Sequence, residues 1–195
     1  MPGESAGRPL ERAAELKLNS RRMVDLDSVG GLLPEVARRA IDAWVKLGLE
    51  IEADHPGAPA APVFVTLRGP NGTLRGCIGS LSPTKPDVSA ETARSAVLAA
   101  TRDPRFVPVR AEELAHLKIE VSVLLPPEPI SGLSQLDPRR YGVVVRDECG
   151  RQGLLLPEVP GIDDAATQVI IARRKAGVDP EASVTLRRFE VKKFV

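Results

Sequence analysis

Two β-rich runs, Val63 to Arg68 and Thr73 to Ser80, flank the tetrapeptide Gly69-Pro70-Asn71-Gly72. An Asn-Gly pair between alternating strands is a strong hairpin signal, because both residues accept the positive φ that a tight turn demands. This turn constrains the fold more than any other feature. Side chains alternate across a strand, so Val63, Val65, Leu67 and Ile78 are expected to face the core. Thr66, Arg68, Arg75 and Cys77 are then expected to collect on the opposite surface. A two-residue loop pairs Thr66 with Cys77 and Arg68 with Arg75. A four-residue loop pairs Thr66 with Arg75 and Phe64 with Cys77, and either register gives the same facing.

The rest of the chain is punctuated by proline and glycine. Residues 1 to about 28 alternate charged and small side chains, with one weak helical patch from Leu10 to Leu18, and read as an extension preceding a domain over 29–195. From Pro34, Val36, Ala40, Ile41, Trp44 and Leu47 recur at helical spacing, with Gly48 as the stop, so Trp44 is expected in the core. The segment from His55 to Pro62 is a loop, because its prolines remove donors and restrict their neighbours. Asp87 is placed to cap a helix that runs to about Arg102, and Asp103-Pro104 ends it. Phe106 is expected to be buried and Arg105 to point toward the site surface. A short helical turn follows at Glu112 to His116.

Leu117, Ile119, Val121 and Val123 alternate with Lys118, Glu120 and Ser122, the pattern of a half-buried strand ending at Pro126-Pro127. A second hairpin is expected from Tyr141 to Leu156, turning near Asp147-Glu148-Cys149-Gly150. Asp163 to Ala176 reads as a helix with Ala166, Val169, Ile170 and Arg173 in register, and Gly177 ends it. The final strand, Ser183 to Phe194, changes phase between Leu186 and Phe189, as an inserted β-bulge would cause. Strands in hairpins with helices between them, and no βαβ rhythm, give an α+β class with a mostly antiparallel sheet and flanking helices.

Charge narrows the functional classes. Lys+Arg 27 against Asp+Glu 26 leaves a formal net charge of +1, so no global field gathers nucleic acid or an anionic membrane. No segment reaches the ~20 apolar residues of a membrane span, and the N-terminus lacks a basic region followed by an apolar run. The chain therefore reads as cytoplasmic. Cys77 and Cys149 form no CxxC pattern and have no companion histidines, which suggests neither a disulfide framework nor a metal site. These residues identify no cofactor.

The chemistry concentrates in Leu74-Arg75-Gly76-Cys77-Ile78-Gly79. A guanidinium beside a thiol favours the thiolate, the form that attacks electrophiles, so Cys77 and Arg75 are the candidate catalytic pair. Gly76 and Gly79 remove side chains beside the thiol and let a ligand or another backbone approach. Thr66, Arg68, Arg105 and Glu120 are candidates for a surrounding cleft. The bland alternative is a buried cysteine in a sheet, with glycines that mark a bulge.

The same hexapeptide matches the signature of the AMMECR family. It stands in order with Val65-Thr66-Leu67, Asp103-Pro104-Arg105-Phe106, Ile119-Glu120-Val121-Ser122-Val123-Leu124, Gly153-Leu154-Leu155-Leu156-Pro157 and Lys175-Ala176-Gly177. The chain thus resembles that family from roughly Ser28 to Phe194. It looks like the prokaryotic members termed protein A of the AmmeMemoRadiSam system. The resemblance implies a larger and a smaller lobe with a cleft near the signature strand, and a Memo-like protein and a radical SAM protein as partners. The functions it leaves open are a small-molecule-binding or enzymatic component centred on Cys77 and a non-catalytic adaptor for those partners. Some relatives carry a cysteine before Lys-Ala-Gly where this chain has Ala172-Arg173-Arg174.

Overall fold

A computed structural model describes residues 25–53 and 58–195. The Leu10–Leu18 patch and His55 lie outside the described residues. Asp25 caps a short helix α1 (Leu26–Gly30), accepting from the N–H groups of Asp27 and Ser28. Val29 and Gly30 of α1 are buried, and Leu26 packs against the core. Helix α2 (Leu33–Leu47) follows, with Pro34 in its first turn and Gly48 closing it at φ 68°. Its buried stripe is Leu33, Val36, Ala37, Ala40 and Ile41. Contrary to expectation, Trp44 is only half-buried and Leu47 is exposed, since the last turn of α2 runs out into solvent together with Lys46 and Gly48.

The Asn71-Gly72 hairpin joins β1 (Val63–Arg68) to β2 (Leu74–Gly79). Helix α3 (Val88–Thr101), capped by Asp87 as expected, packs a small-residue face of Ala93, Ala96, Ala99 and Ala100 under it. A 3₁₀ turn (Ala111–His116) leads to β3 (Lys118–Leu124). The chain continues through β4 (Glu128–Ile130), β5 (Gly142–Asp147), β6 (Gln152–Leu155), helix α4 (Ala165–Ala176), β7 (Val184–Phe189) and β8 (Val191–Phe194).

The class is α+β, with two antiparallel four-stranded sheets where the sequence suggested one. The first runs β2-β1-β3-β8 and the second β4-β7-β5-β6. The phase change near Leu186 is not a bulge within one strand. The run breaks at Glu190, β7 pairs with β5 in the second sheet, and β8 pairs with β3 in the first. The register of β7 with β5 is unbroken from Val184 to Phe189, so Leu186 and Phe189 lie on opposite faces of the second sheet, each covered by its own apolar cluster. On α4 the buried residues are Gln168, Val169 and Ala172, whereas Ala166 and Ile170 face outward.

The first sheet buries Val63, Val65, Leu67, Val121 and Val123 against α2 and α3. Its other face turns toward the second sheet, where Phe64 joins Leu124, Leu154 and Phe189 in a separate apolar cluster. Between β2 and α3 the chain is held by Glu91, a fully buried carboxylate. It accepts from Ser80 Oγ at 2.8 Å and from the N–H groups of Thr84 at 2.6 Å and Lys85 at 2.8 Å. Burial alone would raise its pKa, but the hydrogen bonds from Ser80, Thr84 and Lys85 outweigh that and hold it below the ordinary carboxylate value. No helix among the described residues is long and apolar enough to cross a membrane.

Candidate functional site

Across the first sheet, β1 and β2 pair Thr66 with Cys77, and β1 and β3 pair Thr66 with Glu120. Cys77, Thr66 and Glu120 therefore form one cross-strand row on the face turned away from the helices. The next row is Gly79, Phe64, Ser122 and Lys193. Cys77 is half-buried, and its Sγ lies 3.4 Å from Thr66 Oγ1, within reach of a weak sulfur hydrogen bond. Thr66 and Ser122 are buried, while Glu120 keeps partial access to solvent.

The two-residue register is observed as far as Leu67 and Gly76. There the ladder shifts, so that Arg68 pairs with Leu74 and Arg75 has no residue opposite it. Such a bulge re-aims a side chain, and this one sends Arg75 away from the thiol. Its Nε donates to Glu113 Oε2 at 2.7 Å and one Nη to Glu113 Oε1 at 3.0 Å. Arg75 is thus committed to a bidentate ion pair, and Glu113 is held below its usual pKa first by those hydrogen bonds. Arg68 is exposed at the hairpin end and donates to Gly72 O at 3.3 Å.

The cation tied to Cys77 is Arg105. Asp103, only 4% exposed, accepts the Cys77 N–H at Oδ2 over 2.8 Å. The same carboxylate accepts from Arg105 Nη2 at 2.8 Å, Arg105 Nε at 3.0 Å and the Arg105 backbone N–H at 3.1 Å. The Arg105 guanidinium depresses the Asp103 carboxyl far below the usual range, with burial opposing and the Cys77 N–H assisting. Arg105 is in turn stabilised in its charged form, first by Asp103. Phe106 is half-buried and not a core residue. Its ring lies between two cations, with Arg105 Cζ at 5.5 Å and Arg75 Cζ at 6.0 Å from its centroid.

Both signature glycines answer to the protein's own backbone. A Cβ on Gly76 would stand 2.2 Å from the Ala99 carbonyl oxygen, so the absent side chain lets α3 close onto β2. A Cβ on Gly79 would stand 2.2 Å from Val63 O and 2.4 Å from the Phe64 ring. Of the sequence-named candidates, Cys77, Thr66 and Glu120 come together and Arg105 reaches them through Asp103. Arg68 and Arg75 do not join them. Sequence reasoning took Asp103 for a helix-end residue and did not single out Glu113 or Glu91. The spacing of Asp103 two residues before Arg105, next to the hexapeptide strand in space only, was the one available signal for the first.

The AMMECR1 family model matches residues 33–194. A protein of Thermotoga maritima is 42% identical over 164 residues, covering 81% of this chain and 94% of its own. The crystal structure of uncharacterised protein PH0010 from Pyrococcus horikoshii superposes with a TM-score of 0.71 at 36% identity, covering 84% of this chain and 89% of that one. A protein of Clostridium acetobutylicum is 40% identical over 130 residues, which are 66% of this chain and only 27% of that relative.

Proposed function

This chain belongs to the AMMECR1 family, and from that premise and the setting of Cys77 we propose that it binds and acts on a small molecule at the Cys77–Thr66–Glu120 row. Cys77 is the nucleophile and Glu120 the acid–base group across Thr66, while the Asp103–Arg105 pair positions the Cys77 strand. The observation that supports this is the anchoring of a half-exposed thiol. Its strand backbone is fixed by the buried Asp103, which also holds a guanidinium beside it. A thiol on a fixed strand, with an acid–base group on the same row, is the setting of a nucleophilic cysteine.

The test is an unbiased metabolite-binding screen on the native protein, Cys77→Ser and Glu120→Gln, alongside iodoacetamide alkylation. The expected result is a ligand held by the native chain and weakened in both variants, with Cys77 alkylated in the folded state. A Cys77 that resists alkylation until the protein unfolds, with no ligand that distinguishes the variants, would overturn the reading.

A second reading has its own support. In the Clostridium relative the matched region is about a quarter of a longer protein, as suits a unit that works alongside others. On this reading the chain is an adaptor for a Memo-like protein and a radical SAM protein. Co-purification with those partners that survives Cys77→Ser would favour the adaptor over the enzyme.

A further inference from the structure

Between the two sheets lies a groove of about 590 Å³, within the size range of small-molecule sites. Its floor is one face of the second sheet. Leu154, Val144 and Arg187 form one cross-strand row, and Gln152, Arg146 and Thr185 form the next. The apolar end is closed by Phe189 and Leu124, and four prolines, Pro62, Pro83, Pro127 and Pro129, stand in the walls. Proline has a fixed φ and no N–H, so these walls are stiff and present apolar rings to a ligand. The wall segment Leu81–Pro83 is fastened from behind by the buried Glu91 through Ser80, Thr84 and Lys85.

The charge of the groove is one-sided. Arg146 and Arg187 line it, and no Asp or Glu is among its lining residues. Other arginines of this region are neutralised: Arg188 by Glu128, Arg151 by Asp147 and Arg140 by Glu190. Among the described residues Arg146 and Arg187 have no carboxylate partner, and Arg187 uses one Nη to donate to Pro127 O, which fixes its head at the groove wall. The register makes the two arginines diagonal neighbours across β5 and β7, but their heads diverge: that of Arg187 stays at Pro127 in the groove wall, and that of Arg146 turns toward Gly150 at the β5–β6 turn.

We propose that this groove is a binding site for a small carboxylate with an apolar body, its acid gripped by Arg187 and its hydrocarbon laid on Val144, Leu154 and Phe189. None of the groove-lining residues belongs to the Cys77–Thr66–Glu120 row, so the proposal stands apart from the function assigned to that row.

Octanoate is the probe, with octanamide as its uncharged counterpart and acetate as the acid without a body, each titrated calorimetrically and by amide chemical shifts. Octanoate is expected to bind at least about tenfold tighter than octanamide or acetate, the scale of a charge-assisted contact, and to move the amides of Val144, Leu154 and Thr185. Arg187→Gln should erase the preference over octanamide, and Arg188→Gln on the opposite face should leave it intact. Arg146→Gln, a change at one exposed side chain whose head turns toward Gly150, should leave most of the preference. Equal binding of octanoate and octanamide, no binding of either, or shifts confined to the Cys77 row would overturn the proposal.

Discussion

Replacing Asp103 by alanine removes the acceptor of four hydrogen bonds, one from the Cys77 N–H and three from Arg105. The two partners do not lose equally. The Cys77 N–H is left facing a dry space, and a bond to a charged acceptor contributes about 1.5–3 kcal/mol. The Arg105 side chain is 54% exposed and recovers water, so its share is at most about 1 kcal/mol. The expected destabilisation is therefore about 2–4 kcal/mol in chemical denaturation at neutral pH. The dependence on pH has a definite sign. The folded carboxyl is depressed below its unfolded value, so the unfolded chain takes up the proton first as pH falls. The advantage of the native protein over Asp103→Ala should hold between about pH 5 and 8 and shrink below about pH 4, where the unfolded carboxyl protonates. A loss under about 0.5 kcal/mol, the size of an ordinary surface change, would refute the claim that Asp103 anchors the Cys77 strand. A gap that does not change down to pH 3 would refute the claim that its charge is responsible.

Three further outcomes can be checked. Gly76→Ala should cost about 1–3 kcal/mol or more by overpacking, since the new methyl meets the Ala99 carbonyl and not a movable side chain; Gly31→Ala, with open space around it, is the near-neutral control in the same thermal melts. Phe106→Ala should cost about 1–2 kcal/mol, less than the ~3–5 kcal/mol of a core aromatic, because the ring is only half-buried and its partners are cations at the surface. Glu91→Gln should destabilise the protein by about 1–3 kcal/mol and speed hydrogen exchange at the Thr84 and Lys85 amides, whose common acceptor loses its charge.

The local elements were readable because short-range chemistry decides them. Asn71-Gly72 specified its hairpin, Asp87 its helix, and the alternation of Ile119, Val121 and Val123 their inward face. What failed was decided by distant parts of the chain. Arg75 was assigned to the thiol by parity, but a bulge and Glu113, brought in by the 3₁₀ turn, turn it elsewhere. Gly76 looked like room for a ligand, and the neighbour that needs the room is Ala99, on another element. Phe106 and Trp44 were placed inside on size and period, yet one sits between two arginines and the other on the last turn of a helix that outruns its support. The row of Cys77, Thr66 and Glu120 was half visible. Thr66 opposite Cys77 was one of the two registers the hairpin allowed, whereas Glu120 joins only because β3 returns beside β1.

The switch of partners at Glu190 also bears on how the two sheets are completed. Every strand of the second sheet is made after β3 and before β8, so that sheet is nested inside the sequence of the first. Without residues 191–194, β3 has a bare edge along Val121 to Leu124, and open edges invite pairing with other chains. Pairing of β8 seals that edge and, through the bond from the Leu125 N–H to Glu190 O, ties the finished second sheet to the first. A released chain cut back to Glu190 should therefore keep the inner unit beside an unsealed outer one, and should aggregate more readily than the chain that carries β8.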